Sequence, residues 1–157
     1  MNTLLRRWLP LAAVLPVALT AGSLVLEIGN PQANPEARKI HAVLLARVTA
    51  CHEPGKSAVT ANLVALAADG VQRTPLKVVA LSAPGTFAVL GSIPAGDASA
   101  IELAVTNPEY NNYSPRVLVR ATESGVQWST LRRFREAPTA GEIKAALAVN
   151  NAAHSGS

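Results

Sequence analysis

The stretch from residue 76 to residue 106 constrains the fold of this chain most strongly. Two turn sequences, residues 83–85 and 94–97, divide it into three short apolar segments. Apolar positions alternate with other residues along the last segment, at Ile101, Leu103 and Val105. A period of two is typical of a strand with one buried face. Short strands between frequent turns predict a β-sandwich.

Apolar runs elsewhere extend this pattern. They predict further strands at residues 40–49, 57–67, 71–82, 116–121 and 126–131. The first of these runs also fits a helix, because it is short and has apolar residues at both odd- and even-numbered positions. The predicted fold class is all-β. We expect an immunoglobulin-like antiparallel sandwich of about seven strands, with an amino-terminal signal or anchor helix and a short carboxy-terminal helix.

Two details of these strands are specific predictions. Pro75 has no N–H to donate, so the first half of its strand is expected to lie at an edge or a bulge. In the strand at 116–121, alternate residues are expected to face the core, and the residues between them are expected to face outward. The inward residues are Val117, Val119 and Ala121, and the outward residues are Arg116, Leu118 and Arg120.

The amino-terminal segment resembles a targeting sequence. Arg6 and Arg7 precede an apolar run, which predicts a signal peptide over residues 1–22. The apolar run at 8–26 is also long enough to span a bilayer, so a membrane anchor over residues 1–28 is the alternative. The prolines that follow predict a linker at 23–37, and the sandwich domain is expected at 38–135. The chain is therefore expected to be exported, and to be periplasmic, extracellular or anchored in the inner membrane.

The carboxy-terminal part changes from strand to helix periodicity. Thr139 and Glu142 have the spacing of a capping box, and they predict a helix over residues 138–150. Ile143, Ala146 and Leu147 fall on one face of that helix. Residues 151–157 are predicted to be a disordered tail.

Charge and cysteine content exclude several classes of function. The formal net charge is +4, and Arg6 and Arg7 contribute two of these charges. No nucleic-acid-binding motif is present, so a nucleic-acid partner is not expected. The single cysteine, Cys51, cannot form an internal disulfide. No nucleophile elbow, phosphate-binding loop or carboxylate pair is present, so the chain is not expected to be an enzyme or to hold a cofactor.

One cluster, Cys51-His52-Glu53, has side chains that can bind a metal or react as a thiol pair. Neighbouring residues on a strand point to opposite faces, so these three side chains converge only in a turn. The alternative is a structural motif at the end of a strand. No metal site is assigned with these residues.

Two groups of residues are candidates for binding a partner. Tyr110, Asn111, Asn112 and Tyr113 lie in a long polar loop at 107–115 and combine rigid aromatic rings with adaptable amides. Arg116 and Arg120 share one strand face, with more arginines at 132, 133 and 135. They form either a surface for an acidic protein or anionic lipid, or a charged face that prevents edge pairing.

Three short sequences resemble a known family of domains. Residues 84–87 read Pro-Gly-Thr-Phe, residues 95–97 read Ala-Gly-Asp, and residues 101–105 read Ile-Glu-Leu-Ala-Val. Together they resemble the immunoglobulin-like sandwich domains of exported bacterial proteins, including YtkA-like and FixH-like proteins. The likeness covers residues 57–121 and implies an exported sandwich domain. Metal handling in some relatives relies on Met or His pairs that this sequence lacks, so the resemblance carries over no site.

Three other sequences resemble a set of small uncharacterised exported bacterial proteins, and that resemblance implies no activity. They are Ala-Cys-His-Glu-Pro at 50–54, Pro-Leu-Lys at 75–77 and Asn-Pro-Glu-Tyr at 107–110. The sequence as a whole predicts an exported, non-enzymatic binding or accessory module with a protein partner in the bacterial envelope. The alternatives are a periplasmic metal- or thiol-handling protein using Cys51 and His52, and a membrane-anchored subunit of an envelope complex.

Overall fold

The computed structural model describes residues 23–95 and 99–148 of the 157-residue chain. Several predictions from the sequence lie outside the described residues. These are the signal segment 1–22, most of the anchor alternative, part of the turn at 94–97, the end of the predicted helix at 149–150 and the tail 151–157. No helix in the described part of the chain is long and apolar enough to cross a membrane.

The described residues form a mostly antiparallel β structure, which confirms the all-β prediction. Nine strands are described, and every pairing between them is antiparallel. They are β1 (Val25–Gly29), β2 (Leu44–Thr49), β3 (Ala58–Ala67), β4 (Gly70–Ala80), β5 (Thr86–Leu90), β6 (Ser99–Thr106), β7 (Arg116–Thr122), β8 (Gly125–Val126) and β9 (Arg132–Phe134). The helices are α1 (Pro35–Lys39) and α2 (Ala140–Ala148), and 3-10 turns lie at Pro31–Ala33, Pro54–Lys56, Pro108–Tyr110 and Trp128–Thr130.

The strands belong to one sheet that curls into a half-barrel. Its order is β1-β2-β5-β4-β3-β6-β7-β8, and β9 also pairs with β7. The curl is centred on β4, whose first half pairs with β3 and whose last four residues pair with β5. Pro75 lies in the first half, which has β3 as its only described strand partner, so the prediction of an edge position is confirmed.

The inside of the curl is filled by aliphatic side chains from strands on both halves of the sheet. Ile101, Leu103 and Val105 are fully buried there, as the alternation in the sequence predicts. They meet Leu44, Ala46 and Val48 of β2, together with Val117, Val119 and Ala121 of β7. The core therefore contains few aromatic rings, in agreement with a composition of 4% aromatic residues.

Residues 23–37 differ from the predicted linker. Leu24 and Leu26 are buried in the core, and β1 pairs with β2 along five residues. The prolines that suggested a linker begin a 3-10 turn and α1 instead. Pro is favoured at the first position of a helix, where its missing N–H has no intrahelical partner. The side chain of Asn34 caps α1 by accepting from the amides of Glu36 and Ala37.

Two further boundaries differ from the predictions. The run at 40–49 forms β2 only from Leu44 onward, because its first residues complete the turn after α1. His41 has a φ of 53° in that turn, which ends the helix. The predicted last strand at 126–131 contains only the end of β8 and a 3-10 turn, and β9 begins after it at Arg132.

The carboxy-terminal helix α2 packs on the outer face of the sheet. Ile143, Ala146 and Leu147 are buried against Val64, Ala100 and Leu118, so the predicted apolar face of the helix is confirmed. The capping box is also confirmed. The Thr139 hydroxyl accepts from the Glu142 amide at 3.2 Å, and the Thr139 amide and hydroxyl both donate to the Glu142 carboxylate at 2.8 Å.

Replacing Thr139 by alanine is expected to lower the free energy of unfolding by about 1 kcal/mol at neutral pH. The hydrogen bonds from the amide and hydroxyl of Thr139 lower the pKa of Glu142 in the folded protein. A lowered folded-state pKa contributes stability above the ordinary pKa of the group, and this contribution disappears as the pH falls through the folded-state pKa. The difference between wild type and Thr139→Ala should therefore shrink in acid. Urea unfolding at several pH values tests this, and a deficit independent of pH would contradict it.

Candidate functional site

The two ends of the curled sheet, β1 and β9, face each other without pairing. We call the gap between them the seam. β1 pairs with β2 alone, and β9 pairs with β7 alone, among the described strands. In the part of the chain that the structure describes, one side-chain hydrogen bond crosses the seam: Nη1 of Arg133 on β9 donates to the carbonyl oxygen of Leu26 on β1 at 2.6 Å. The seam is therefore held by a guanidinium rather than by a backbone ladder.

The free edge of β1 presents backbone groups to the seam. Leu26 lies opposite Val48 of β2, but the Val48 amide donates away from β1, to the carbonyl of Gly85 at 2.8 Å. The pair Leu26–Val48 is thus a non-hydrogen-bonded pair of the antiparallel ladder. The N–H and C=O of Leu26 both point into the seam, and so do those of Ile28, two residues further on.

One end of the seam opens into a groove of about 290 Å³. We call it the seam groove. Its apolar lining includes Leu24, Leu26 and Val117, all buried in the core. Its other lining residues are Val25, Tyr113, Pro115, Arg116, Phe134 and two arginines of the β9 region, Arg133 and Arg135. The groove thus combines an apolar floor, a free strand edge and cationic side chains.

The charges that line the seam groove have one sign. Arg116, Arg133 and Arg135 contribute to the lining, and no carboxylate is among its described lining residues. Arg116 is partly neutralised from outside the groove, because its Nη1 lies 3.3 Å from Oε1 of Glu102. The groove is accordingly electropositive and suits an anionic group.

Glu102 is the centre of a buried ionic cluster that the sequence did not indicate. Its carboxylate lies 2.7 Å from Nε of Arg73 on β4 and 3.3 Å from Nη1 of Arg116 on β7, and the residue is 2% exposed. The alternating pattern placed Glu102 on the face opposite the main core, where solvent was expected. That face is covered because α2 packs beside it, and Nη2 of Arg73 also reaches the carbonyl of Pro138 before the helix, at 3.5 Å.

Arg120 is not the exposed cation that the sequence predicted. It points to the outer face as expected, but it is only 7% exposed, and neighbouring Leu118 is buried under α2. Its Nε and Nη1 atoms are buried and have no hydrogen-bond partner among the described residues. Of the two arginines proposed for binding, only Arg116 lines the seam groove.

Arg120→Met is expected to raise the free energy of unfolding by about 1–2 kcal/mol, because it replaces a buried guanidinium with two unsatisfied nitrogens by an apolar chain of similar length. Thermal and urea unfolding measure the change. Arg120→Ala is the matched comparison, and it should be less stable than Arg120→Met because truncation leaves a cavity. A destabilised Arg120→Met protein would show that the guanidinium has a partner in solution.

The two other predicted sites come together at one end of the fold. Asn107, which begins the loop after β6, is buried and donates from Nδ2 to Oγ of Ser57 at 2.9 Å and to the carbonyl of Glu53 at 3.2 Å. Its Nδ2 also lies 3.9 Å from Sγ of Cys51. Asn107 therefore joins the loop after β2 to the loop after β6.

Cys51, His52 and Glu53 do not converge on one point. The thiol of Cys51 is partly buried against the core, whereas the side chain of His52 is 86% exposed and its Nδ1 lies 4.0 Å from Oε2 of Glu109. The Glu53 carboxylate pairs with Lys56 at 2.7 Å. In the described part of the chain, no group of three or more potential metal-ligating side chains is present.

The predicted binding loop contributes one residue to the seam groove. Tyr113 lines the groove, whereas Asn111 and Asn112 are exposed to solvent and are not among its lining residues. Tyr110 packs against the core beside Cys51. Burial, the negative charge of Glu109 and the proximity of Cys51 raise the pKa of Tyr110, in that order of importance.

Asn107→Ala is expected to lower the free energy of unfolding by about 2–3 kcal/mol, since it removes a buried amide that makes several hydrogen bonds. The loop that holds Cys51 would lose its attachment, so reaction of the thiol with a disulfide reagent should become faster at the same pH. Asn111→Ala, in the exposed part of the same loop, is the matched control and should change neither quantity. Unchanged thiol reactivity in a folded Asn107→Ala protein would contradict this role.

No family model, curated protein or solved structure matches this chain.

Proposed function

We propose that this protein is an exported, non-enzymatic binding module of the bacterial envelope that takes an extended acidic segment of a partner protein at the seam groove. The observation that carries the proposal is the free edge of β1. An unpaired strand edge is a template for a further strand, and β-strand addition is a common mode of peptide recognition.

The backbone of β1 would provide the affinity. Leu26 and Ile28 offer alternating N–H and C=O groups to an incoming strand, as described above. Such a strand would replace the guanidinium of Arg133 at the carbonyl of Leu26, where the present contact is 2.6 Å. The freed guanidinium would then bind a carboxylate of the partner in a bidentate manner.

The side chains of the groove would provide the specificity. Successive side chains of a strand point to opposite faces. A segment that alternates apolar and acidic residues would place the apolar ones against the accessible rings of Tyr113 and Phe134 and the acidic ones near Arg133 and Arg135. A basic segment would meet like charges there, which disfavours it by several kcal/mol in comparable interfaces.

The finer fold assignment and the cellular location belong to the same proposal. We propose that the curled sheet is a variant of an immunoglobulin-like sandwich related to the YtkA-like and FixH-like domains, as the sequence motifs suggest. Export is supported by Arg6, Arg7 and the apolar run that follows them. The metal- or thiol-handling alternative has less support, because His52 points into solvent while Cys51 packs against the core. The membrane-anchored alternative depends on residues outside the described part.

A peptide of about eight residues that alternates valine and glutamate is the probe for this proposal. We expect it to bind the full chain in the micromolar range by fluorescence anisotropy, and to bind more weakly as salt screens the arginines. The matching peptide of valine and lysine should bind at least about tenfold more weakly. Arg133→Gln should weaken binding of the acidic peptide, whereas Arg47→Gln, an exposed arginine on β2, should not.

Three results would contradict the proposal. The first is equal binding of the two peptides, and the second is equal weakening by Arg133→Gln and Arg47→Gln. The third is a dimer in sedimentation that Arg133→Gln dissociates, with no peptide binding, since a second copy of the chain would then occupy the seam. Thermal unfolding of each variant establishes that loss of binding is not loss of the fold.

A further inference from the structure

A second concave surface lies at the opposite end of the seam from the seam groove. We call it the cup. It measures about 400 Å³ and lies between the start of the 3-10 turn after β1 and the turn that joins β7 to β8. This volume is within the range of about 300–1,000 Å³ that is usual for small-molecule sites. Its base includes the apolar residues Ala42, Val43 and Ile93.

The rim of the cup is rich in hydrogen-bonding groups, and most of them are neutral. Asn30 and Gln32 line one side, and Thr122, Glu123 and Ser124 line the other. The Asn30 oxygen accepts from the Gln32 amide at 2.9 Å, which fixes its side chain and leaves its NH₂ group as a donor. The side chains of Gln32 and Glu123 make no hydrogen bond or ion pair with any other described residue. Donors and acceptors are thus available on both sides.

An aromatic ring completes the lining. Trp128, on the 3-10 turn after β8, lines the cup and is 40% exposed, one of few large apolar side chains among the described residues that remain in contact with solvent. An exposed tryptophan presents a large, rigid apolar surface with a polar N–H at its edge. No arginine, lysine or histidine lines the cup among the described residues, so the site does not favour an anion.

We propose that the cup binds a saccharide. A pyranose ring has an apolar face of C–H groups that can stack on the ring of Trp128, and neighbouring hydroxyls that both donate and accept. The carboxylate of Glu123 would accept from a pair of hydroxyls, and the amides of Asn30 and Gln32 would serve the others. This site is separate from the seam groove and does not depend on a protein ligand there.

The tryptophan makes a direct test possible. The chain has two tryptophans, Trp8 and Trp128, so Trp8→Phe leaves Trp128 as the only one in the full chain. Cellobiose and N,N′-diacetylchitobiose are titrated into this protein while its tryptophan emission is recorded. We expect a saturable change with at least one sugar and a Kd in the millimolar range. Adding Glu123→Gln should weaken saccharide binding at least about fivefold without changing the midpoint of thermal unfolding.

The control separates the cup from the seam groove. Adding Arg133→Gln instead should leave saccharide binding unchanged. Calorimetric titration of Trp128→Ala in the otherwise native chain should show no binding. The absence of a saturable change with either sugar up to about 50 mM would overturn the proposal. A saturable change that neither Glu123→Gln nor Trp128→Ala affects would overturn it too, because binding would then be elsewhere.

Discussion

Replacing Arg73 and Arg116 together by methionine is expected to lower the free energy of unfolding by about 3–5 kcal/mol. Both arginines contact the carboxylate of Glu102, which is 2% exposed. The substitutions keep the apolar stems of both side chains but leave an almost fully buried carboxylate without a counter-charge. A buried charge that has lost its partners is among the few causes of destabilisation of this size. Urea unfolding at neutral pH measures the change.

A third substitution distinguishes lost charge pairing from lost packing. Adding Glu102→Gln to the double variant removes the stranded charge, so most of the lost stability should return. Arg47→Met is the control for an arginine that lies exposed on β2, and it should change the free energy of unfolding by less than about 0.5 kcal/mol. A triple variant as unstable as the double variant would show that the ionic cluster does not stabilise the outer face.

Gly85→Ala is expected to lower the free energy of unfolding by about 2–4 kcal/mol. Gly85 has a φ of 71°, which costs about 1–2 kcal/mol for a residue with a Cβ. A Cβ at this position would lie 2.7 Å from Cβ of Pro54 and 3.1 Å from the carbonyl oxygens of Pro54 and Val48. Both oxygens belong to backbone, so the clash can be relieved only by moving the turn away from β2, where the carbonyl of Gly85 accepts from Val48.

Gly55 provides the matched control for this substitution. It lies in the loop that Gly85 contacts, and a Cβ there would meet Cβ of Pro84 at 3.6 Å, an ordinary contact distance. Gly55→Ala is therefore expected to be close to neutral in thermal unfolding. Equal effects of the two substitutions would contradict the explanation that the close approach of the turn to β2 requires glycine.

Local patterns in the sequence were sufficient to predict much of this fold. The alternation at Ile101, Leu103 and Val105, the edge position of Pro75 and the capping box at Thr139 each depend on neighbouring residues alone. The structure confirms all three because a strand or a helix end imposes the same local requirements in any fold. The curl of the sheet depends instead on β4 changing partners from β3 to β5, which no short sequence pattern reports.

The candidate sites also depend on contacts that short sequence patterns do not report. Asn107 and Cys51 are 56 residues apart in sequence, and Arg133 and Leu26 are 107 apart, so only the folded chain brings each pair together. The arginines at 132, 133 and 135 were visible as a cluster, but the strand edge that Arg133 contacts was hidden in a segment that resembled a linker. Arg120 appeared to be a surface cation because its position in the strand points outward, and its burial on that face could not be inferred from that strand alone.

Hydrogen exchange at the free edge of β1 tests the central claim most directly. The amides of Leu26 and Ile28 point into the seam, whereas those of Val25 and Glu27 point toward β2. In the free protein we expect the first two to exchange rapidly and the second two slowly. With the valine–glutamate peptide bound, Leu26 and Ile28 should become protected, because an added strand accepts from them. Binding of the peptide that leaves both amides in rapid exchange would contradict strand addition at β1.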